Sequence, residues 1–77
     1  MEFNVSVQEL LKAIGTSNIK SIDDNHSDKM FIKLSNAIII GEPDWNYRVF
    51  SLVIVYEKER VKCVILNMLI DPLHSQE

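Results

Sequence analysis

The densest group of potential ligands in the sequence is Asp23, Asp24, His26 and Asp28, gathered in one hydrophilic stretch. Carboxylates and an imidazole this close suggest cation binding, and two templates can be tried against them. Read as a calcium loop, Asp23, Asn25 and Ser27 occupy the first three ligand positions. The glycine that such a loop needs is then Asp28, and the closing glutamate is Leu34, so the match fails. A transition-metal site needs more imidazole or thiolate than one loop histidine supplies. The stretch therefore reads as a solvated turn whose side chains bond their own backbone. No metal is expected.

Nucleophilic chemistry has as little support. Cys63 is the only cysteine, in the apolar run Val61-Lys62-Cys63-Val64-Ile65-Leu66. It is expected to be buried in a strand, inert, and to act as a small hydrophobe. Neither His26 nor His74 accompanies a nucleophile motif, and Ser35 and Ser51 lack a diagnostic neighbourhood. Gly15 and Gly41 are the only glycines, which excludes a glycine-rich phosphate loop. Glu57 and Glu59 read as a solvated turn rather than an acid/base pair. Neither an enzyme, nor a cofactor, nor a small-molecule substrate is expected.

Trp45, Tyr47 and Arg48 form a different kind of group. Trp, Tyr and Arg dominate the energetic centres of protein interfaces, because they offer large rigid area and a forked donor. The plainer reading is an aromatic cap on one end of the core, with its polar atom in water. Asp23, Asp24 and Asp28 could also matter to a partner, as could Glu57 and Glu59, if the protein imitates nucleic acid on a basic site.

The elements that would position these residues begin with one helix. Ser6-Val7-Gln8-Glu9 fits a capping box, with Val5 and Leu10 as a hydrophobic staple. Val7, Leu10, Leu11 and Ile14 then make one apolar stripe, and Gly15 follows as a terminator. These signals predict a helix over 7–14. A short strand or a mere connector spans 18–22. A strand over 30–40 is expected to bend or bulge at Ser35-Asn36, a hairpin there being the alternative. Gly41-Glu42-Pro43-Asp44 breaks it. Two further strands, 47–56 and 61–70, flank Glu57-Lys58-Glu59-Arg60, read as a charged turn of about four residues. Residues 73–77 read as a frayed tail.

The fold class is thus α+β. One short N-terminal helix precedes an antiparallel meander of three or four strands ending in a β-hairpin, all in one domain over 1–77.

In the strand 47–56, strict alternation puts Phe50, Leu52, Ile54 and Tyr56 on one face and Val49, Val53 and Val55 on the other. In the strand 61–70 it puts Val64, Leu66, Met68 and Ile70 opposite Val61, Cys63, Ile65 and Leu69. Both strands are apolar on both sides, whereas an antiparallel sheet in a small monomer keeps one face wet. A helix of eight residues is about 12 Å long and cannot cover strands of roughly 30 Å. The excess predicts an interaction surface.

The expected function is a small non-catalytic protein-binding module, of inhibitor, immunity or antitoxin, or phage anti-host-defence type. Its partner is expected to be another protein, itself, or both, with a homodimer favoured. Eight Lys and Arg against eleven Asp and Glu give a net charge of −3. The basic residues are scattered, which disfavours nucleic acid. The alternatives are a nucleic-acid-binding homodimer using Lys29, Lys33, Arg48, Lys58, Arg60 or Lys62 on one sheet edge, and a structural subunit of a larger assembly. No apolar run reaches the roughly 20 residues that span a bilayer. A start without signal-peptide features and a lone thiol point to the cytoplasm.

Overall fold

The computed structural model describes residues 4–41 and 45–72. Helix α1 (Val7–Ile14) is followed by a single 3-10 turn (Thr16–Asn18). Strands β1 (Ile19–Asp23), β2 (Lys29–Gly41), β3 (Trp45–Glu57) and β4 (Arg60–Pro72) complete the order. The strands lie in sequence order, each antiparallel to the next. This is the α+β meander expected, with the helix ends as read from sequence and each strand within two residues.

The helix is fixed locally. The Ser6 N–H donates to Glu9 Oε1 over 2.9 Å, and the Glu9 N–H donates to Ser6 Oγ over 3.1 Å. The box satisfies two donors that helix geometry leaves unpaired. The Ser6 backbone, then its hydroxyl, hold the Glu9 carboxyl below the usual glutamate range. At the other end Gly15, with φ 91°, donates its N–H to the Leu11 carbonyl over 3.0 Å. Asn18 Nδ2 donates to the Ile14 carbonyl over 2.8 Å. Few residues other than glycine tolerate that φ.

Among the described residues eight side chains form the core: Val7, Met30, Ile32, Leu34, Val49, Leu52, Ile54 and Val61. Ile32 and Ile54, on the two central strands, are wholly buried. Val5, Leu10, Leu11 and Ile14 pack against this cluster from the helix side. The chain before the helix is pinned to β4. The Val7 N–H donates to the Glu59 carbonyl over 2.8 Å, and the Val61 N–H donates to the Val5 carbonyl over 3.1 Å.

Three irregularities set which side chains reach the core. Between the pairs Lys33–Ser51 and Ile38–Val49, residues Leu34, Ser35, Asn36 and Ala37 stand against Phe50 alone. This is the bend expected at Ser35-Asn36. Phe50 is also left over between β3 and β4, where Val49 faces Met68 and Ser51 faces Asn67. Lys62 is left over in the same way between the pairs Tyr56–Val61 and Val55–Cys63. Such insertions switch the parity of a strand.

Two expectations fall for that reason. Val49 joins Leu52 and Ile54 in the core rather than facing away from them, and Val61 joins the core rather than sharing a face with Cys63. The turn after β3 is also tighter than expected. Glu57 pairs with Arg60, leaving only Lys58 and Glu59, both at positive φ (51° and 66°). Positive φ at both central residues is the mark of the two-residue hairpin turn that suits strand twist. Of the break at 41–44, Gly41 belongs to β2 and the rest lies outside the described residues, as does the tail at 73–77.

Candidate binding surface

Core residues on β3 run from Val49 to Ile54, and nothing nearer its start is buried. A 13-residue strand spans about 43 Å, whereas the eight-residue helix spans about 12 Å. The ends of β2, β3 and β4 therefore continue past the helix as a three-stranded arm. In the arm the cross-strand rows are Ile38–Val49–Met68, Ile39–Arg48–Leu69 and Ile40–Tyr47–Ile70, with the β3 residue in the middle of each. Trp45 closes the far end.

The arm is apolar on both sides and open to solvent. Ile39 is 63% exposed, Leu69 55% and Ile70 54%. Ile38, Ile40 and Trp45 are also exposed. Two charged residues stand on the arm, Arg48 opposite Leu69 and Asp71 opposite Asn46.

The sheet face opposite the helix carries a second apolar area. Asp23, Phe31, Val53 and Ile65 form one cross-strand row, and Lys29, Val55 and Cys63 form the next. Phe31 and Ile65 are exposed. Beside them, Asn67 Nδ2 donates to Ser51 Oγ over 3.2 Å. Among the described residues no segment lies over this face. Cys63 is accordingly exposed, not buried. An apolar neighbourhood in sequence buries a thiol only when a second layer packs on its face, and none does here.

The sequence-derived candidates divide between the two ends of the molecule. Trp45, Tyr47 and Arg48 lie together on the arm, where Trp45 and Arg48 are exposed and Tyr47 is half-buried. Trp45 therefore does not cap the core. Asp23, Asp24 and Asp28 lie at the opposite end, in and beside the β1–β2 turn. Eight positions of β3 separate Trp45 from Val53, which lies in the row of Asp23, a span of about 26 Å. One partner patch of ordinary size does not centre on both groups.

The acidic end is also a mixed one. Asp23 Oδ1 accepts from the Asn25 N–H over 3.1 Å, a local turn bond. His26 Nε2 lies 4.0 Å from Asp23 Oδ2, and its ring meets Phe31 edge-on at 5.1 Å. The β3–β4 turn at the same end brings Glu57 and Glu59 together with Lys58, Arg60 and Lys62. Lys62 Nζ sits 3.6 Å from Glu57 Oε1. Among the described residues no three His, Cys, Asp or Glu gather as metal ligands would.

The basic residues do not share one sheet edge either. Lys29 and Lys33 stand on inner strand β2, Arg48 on inner strand β3, Lys58 in a turn, and Arg60 and Lys62 at the start of β4. Alternation along the strands, not clustering, decides where each one falls.

A shallow open groove of about 400 Å³ lies between the helix and β1, lined by Leu11, Lys12, Thr16, Ile19 and Ile22 among others. Gln8 and Glu9 also line it. No helix among the described residues is long and apolar enough to cross a membrane. No protein-family model, curated protein or solved structure matches the chain.

Sequence reasoning found the aromatic members of the arm but not the arm itself. Ile38, Ile39 and Ile40 read as ordinary strand residues. The signal available was a strand whose apolar run outlasts anything the helix can cover.

Proposed function

We propose that this protein is a small non-catalytic binding module that engages another protein through its apolar sheet surface. The observation that carries this reading is the arm. Ile38, Ile39, Ile40, Trp45, Leu69 and Ile70 are all exposed on one three-stranded projection. Exposed large side chains are usual when scattered singly, whereas a contiguous group marks a contact surface. Aromatic residues and arginine beside aliphatic ones match the composition of interface centres. The inhibitor, immunity or antitoxin, and phage anti-host-defence types are all binding modules of this kind.

The arm outweighs the acidic end as the contact. Asp23, Asp24 and Asp28 share their end of the sheet with four basic side chains. A mimic of nucleic acid needs a field of one sign. Dispersal of the basic residues leaves the nucleic-acid reading without a focus.

Site-specific photo-crosslinking in an extract of the encoding organism tests the proposal. A photoreactive side chain in place of Ile39 is expected to give a discrete protein adduct that Leu69→Asp abolishes. The same group in place of Asp24 is expected to give none. Equal adducts from both positions, or none from Ile39, would sink the reading.

A further inference from the structure

The sheet face opposite the helix is apolar in one strip and basic along one side of it. On β2, Met30, Ile32 and Leu34 are buried in the core, so Lys29, Phe31 and Lys33 point to the other face. The rows there are Lys29–Val55–Cys63, Asp23–Phe31–Val53–Ile65 and Ser21–Lys33–Ser51–Asn67. Val53, Val55, Cys63 and Ile65 thus make a strip along β3 and β4, and the two lysines flank it on β2. Lys29 and Lys33 stand about 13 Å apart with Phe31 between them. Neither lysine makes an ion pair among the described residues. Asp23 is the one acid in these rows, and it already accepts from the Asn25 N–H.

We propose that this face receives an acidic amphipathic helix of a partner protein, laid along β3 and β4 with carboxylates turned toward Lys29 and Lys33. The inference rests on the reading of the sheet as a protein-binding surface and supplies the chemistry of what covers its second face. A strand joins a sheet at its edge, whereas a helix packs on a face as a further layer. A helix about 10 Å wide covers two strands at their spacing of roughly 4.8 Å, which is the width of the apolar strip. Positions i and i+7 of that helix share one flank and lie about 10.5 Å apart along its axis, so two carboxylates so placed reach both lysines. Phe31, 41% exposed, packs against the same flank between the two ion pairs. The hydrogen-bonded Ser51 and Asn67 border the strip on the side of the arm.

Charge decides between the occupants. A second copy laid face to face would set Lys29 and Lys33 against a face carrying the same two lysines, and like charges across a contact are costly. Single-stranded nucleic acid stacks successive bases on several rings, and Phe31 is the one aromatic ring in these rows. The net charge of −3 also opposes a polyanion. Two carboxylates on an otherwise apolar helix answer to the two lysines beneath them, because more distant charges are screened by salt.

Two synthetic helical peptides of about eighteen residues, roughly 27 Å long, test the pairing. Each carries one leucine stripe, flanked by glutamates in one peptide and by lysines in the other. Calorimetric titration into the wild-type chain is expected to show binding of the glutamate peptide and none of the lysine peptide. Lys29→Glu combined with Lys33→Glu is expected to weaken the glutamate peptide about tenfold and to gain binding of the lysine peptide. That gain also shows the variant to be folded. Equal binding of both peptides, binding of neither, or a preference that the double reversal leaves unchanged overturns the inference. Oligothymidylate bound in place of the glutamate peptide, and lost from the double variant, overturns it in favour of nucleic acid. A wild-type dimer that leaves the glutamate peptide no site overturns it in favour of a second copy. The adduct at Ile39 reports on the arm independently. Charge-selective peptide binding without that adduct would overturn the arm as the contact alone, and the adduct without peptide selectivity would overturn only the acidic helix.

Discussion

Glu57 stands directly opposite Arg60, so β3 and β4 are joined through Lys58 and Glu59 alone. Both turn residues carry a Cβ at positive φ, which costs roughly 1 kcal/mol each relative to glycine. The Glu59 carbonyl also accepts from the Val7 N–H, a backbone bond that glycine would keep. Glu59→Gly is expected to raise stability by about 1 kcal/mol in urea denaturation, with an unchanged m-value. A loss of stability would mean that the Glu59 side chain, and not its backbone, holds the turn.

The capping box makes the fold sensitive to acid. The Glu9 carboxyl titrates below its ordinary value because the Ser6 N–H and hydroxyl favour its charged form. In the unfolded chain it binds its proton at higher pH, so its contribution is present above the ordinary glutamate range. That contribution is lost as pH falls through the depressed value. Thermal melts between neutral pH and about pH 3 should show a fall at the acid end. Glu9→Gln, which keeps the hydrogen-bonding shape without the charge, should flatten it.

Cys63 should react as an exposed thiol. It stands beside Val55 on the face that no described segment covers. One equivalent of a maleimide is expected to add to the native protein without denaturant. A requirement for denaturant would show that a second layer, from this chain or another copy, lies over it.

Stability and surface should separate cleanly on β2. Ile32 is wholly buried and Ile39 is 63% exposed. Ile32→Ala is expected to cost about 3–4 kcal/mol, much of the margin of a 77-residue domain. Ile39→Thr keeps a β-branched side chain and is expected to change stability by less than about 1 kcal/mol. Chemical denaturation of the two variants decides this, and similar costs would place Ile39 in packing rather than at a contact surface.

Local signals carried much of this architecture in the sequence. The helix was legible to the residue, because Ser6 acts on Glu9 at one end and Gly15 on Leu11 at the other, each pair about one turn apart. Strand existence was legible from composition. Side-chain direction was not, because Phe50 and Lys62 are inserted relative to their neighbours, and insertion depends on the opposing strand. The misplacement of Val49 and Val61 follows from that, whereas Cys63 is exposed because no described segment covers its face. Trp45, Tyr47 and Arg48 announced themselves by residue type. The aliphatic residues around them depend on a register between positions some twenty to thirty apart, which no local pattern encodes. The acids at 23–28 have an expected turn geometry, but their distance from Trp45 is a property of the sheet.

The bonds from Val5 and Val7 reach residues more than fifty positions later in the chain. An eight-residue helix has too few turns to persist alone in water. During synthesis, these two bonds cannot form until Glu59–Val61 have left the ribosome, by which time most of the meander has been made. Val5 and Val7 thus emerge well before the residues they bond. A machine that pulls the finished protein from its N-terminal end meets this two-bond clasp before it meets any part of the β2–β3 ladder.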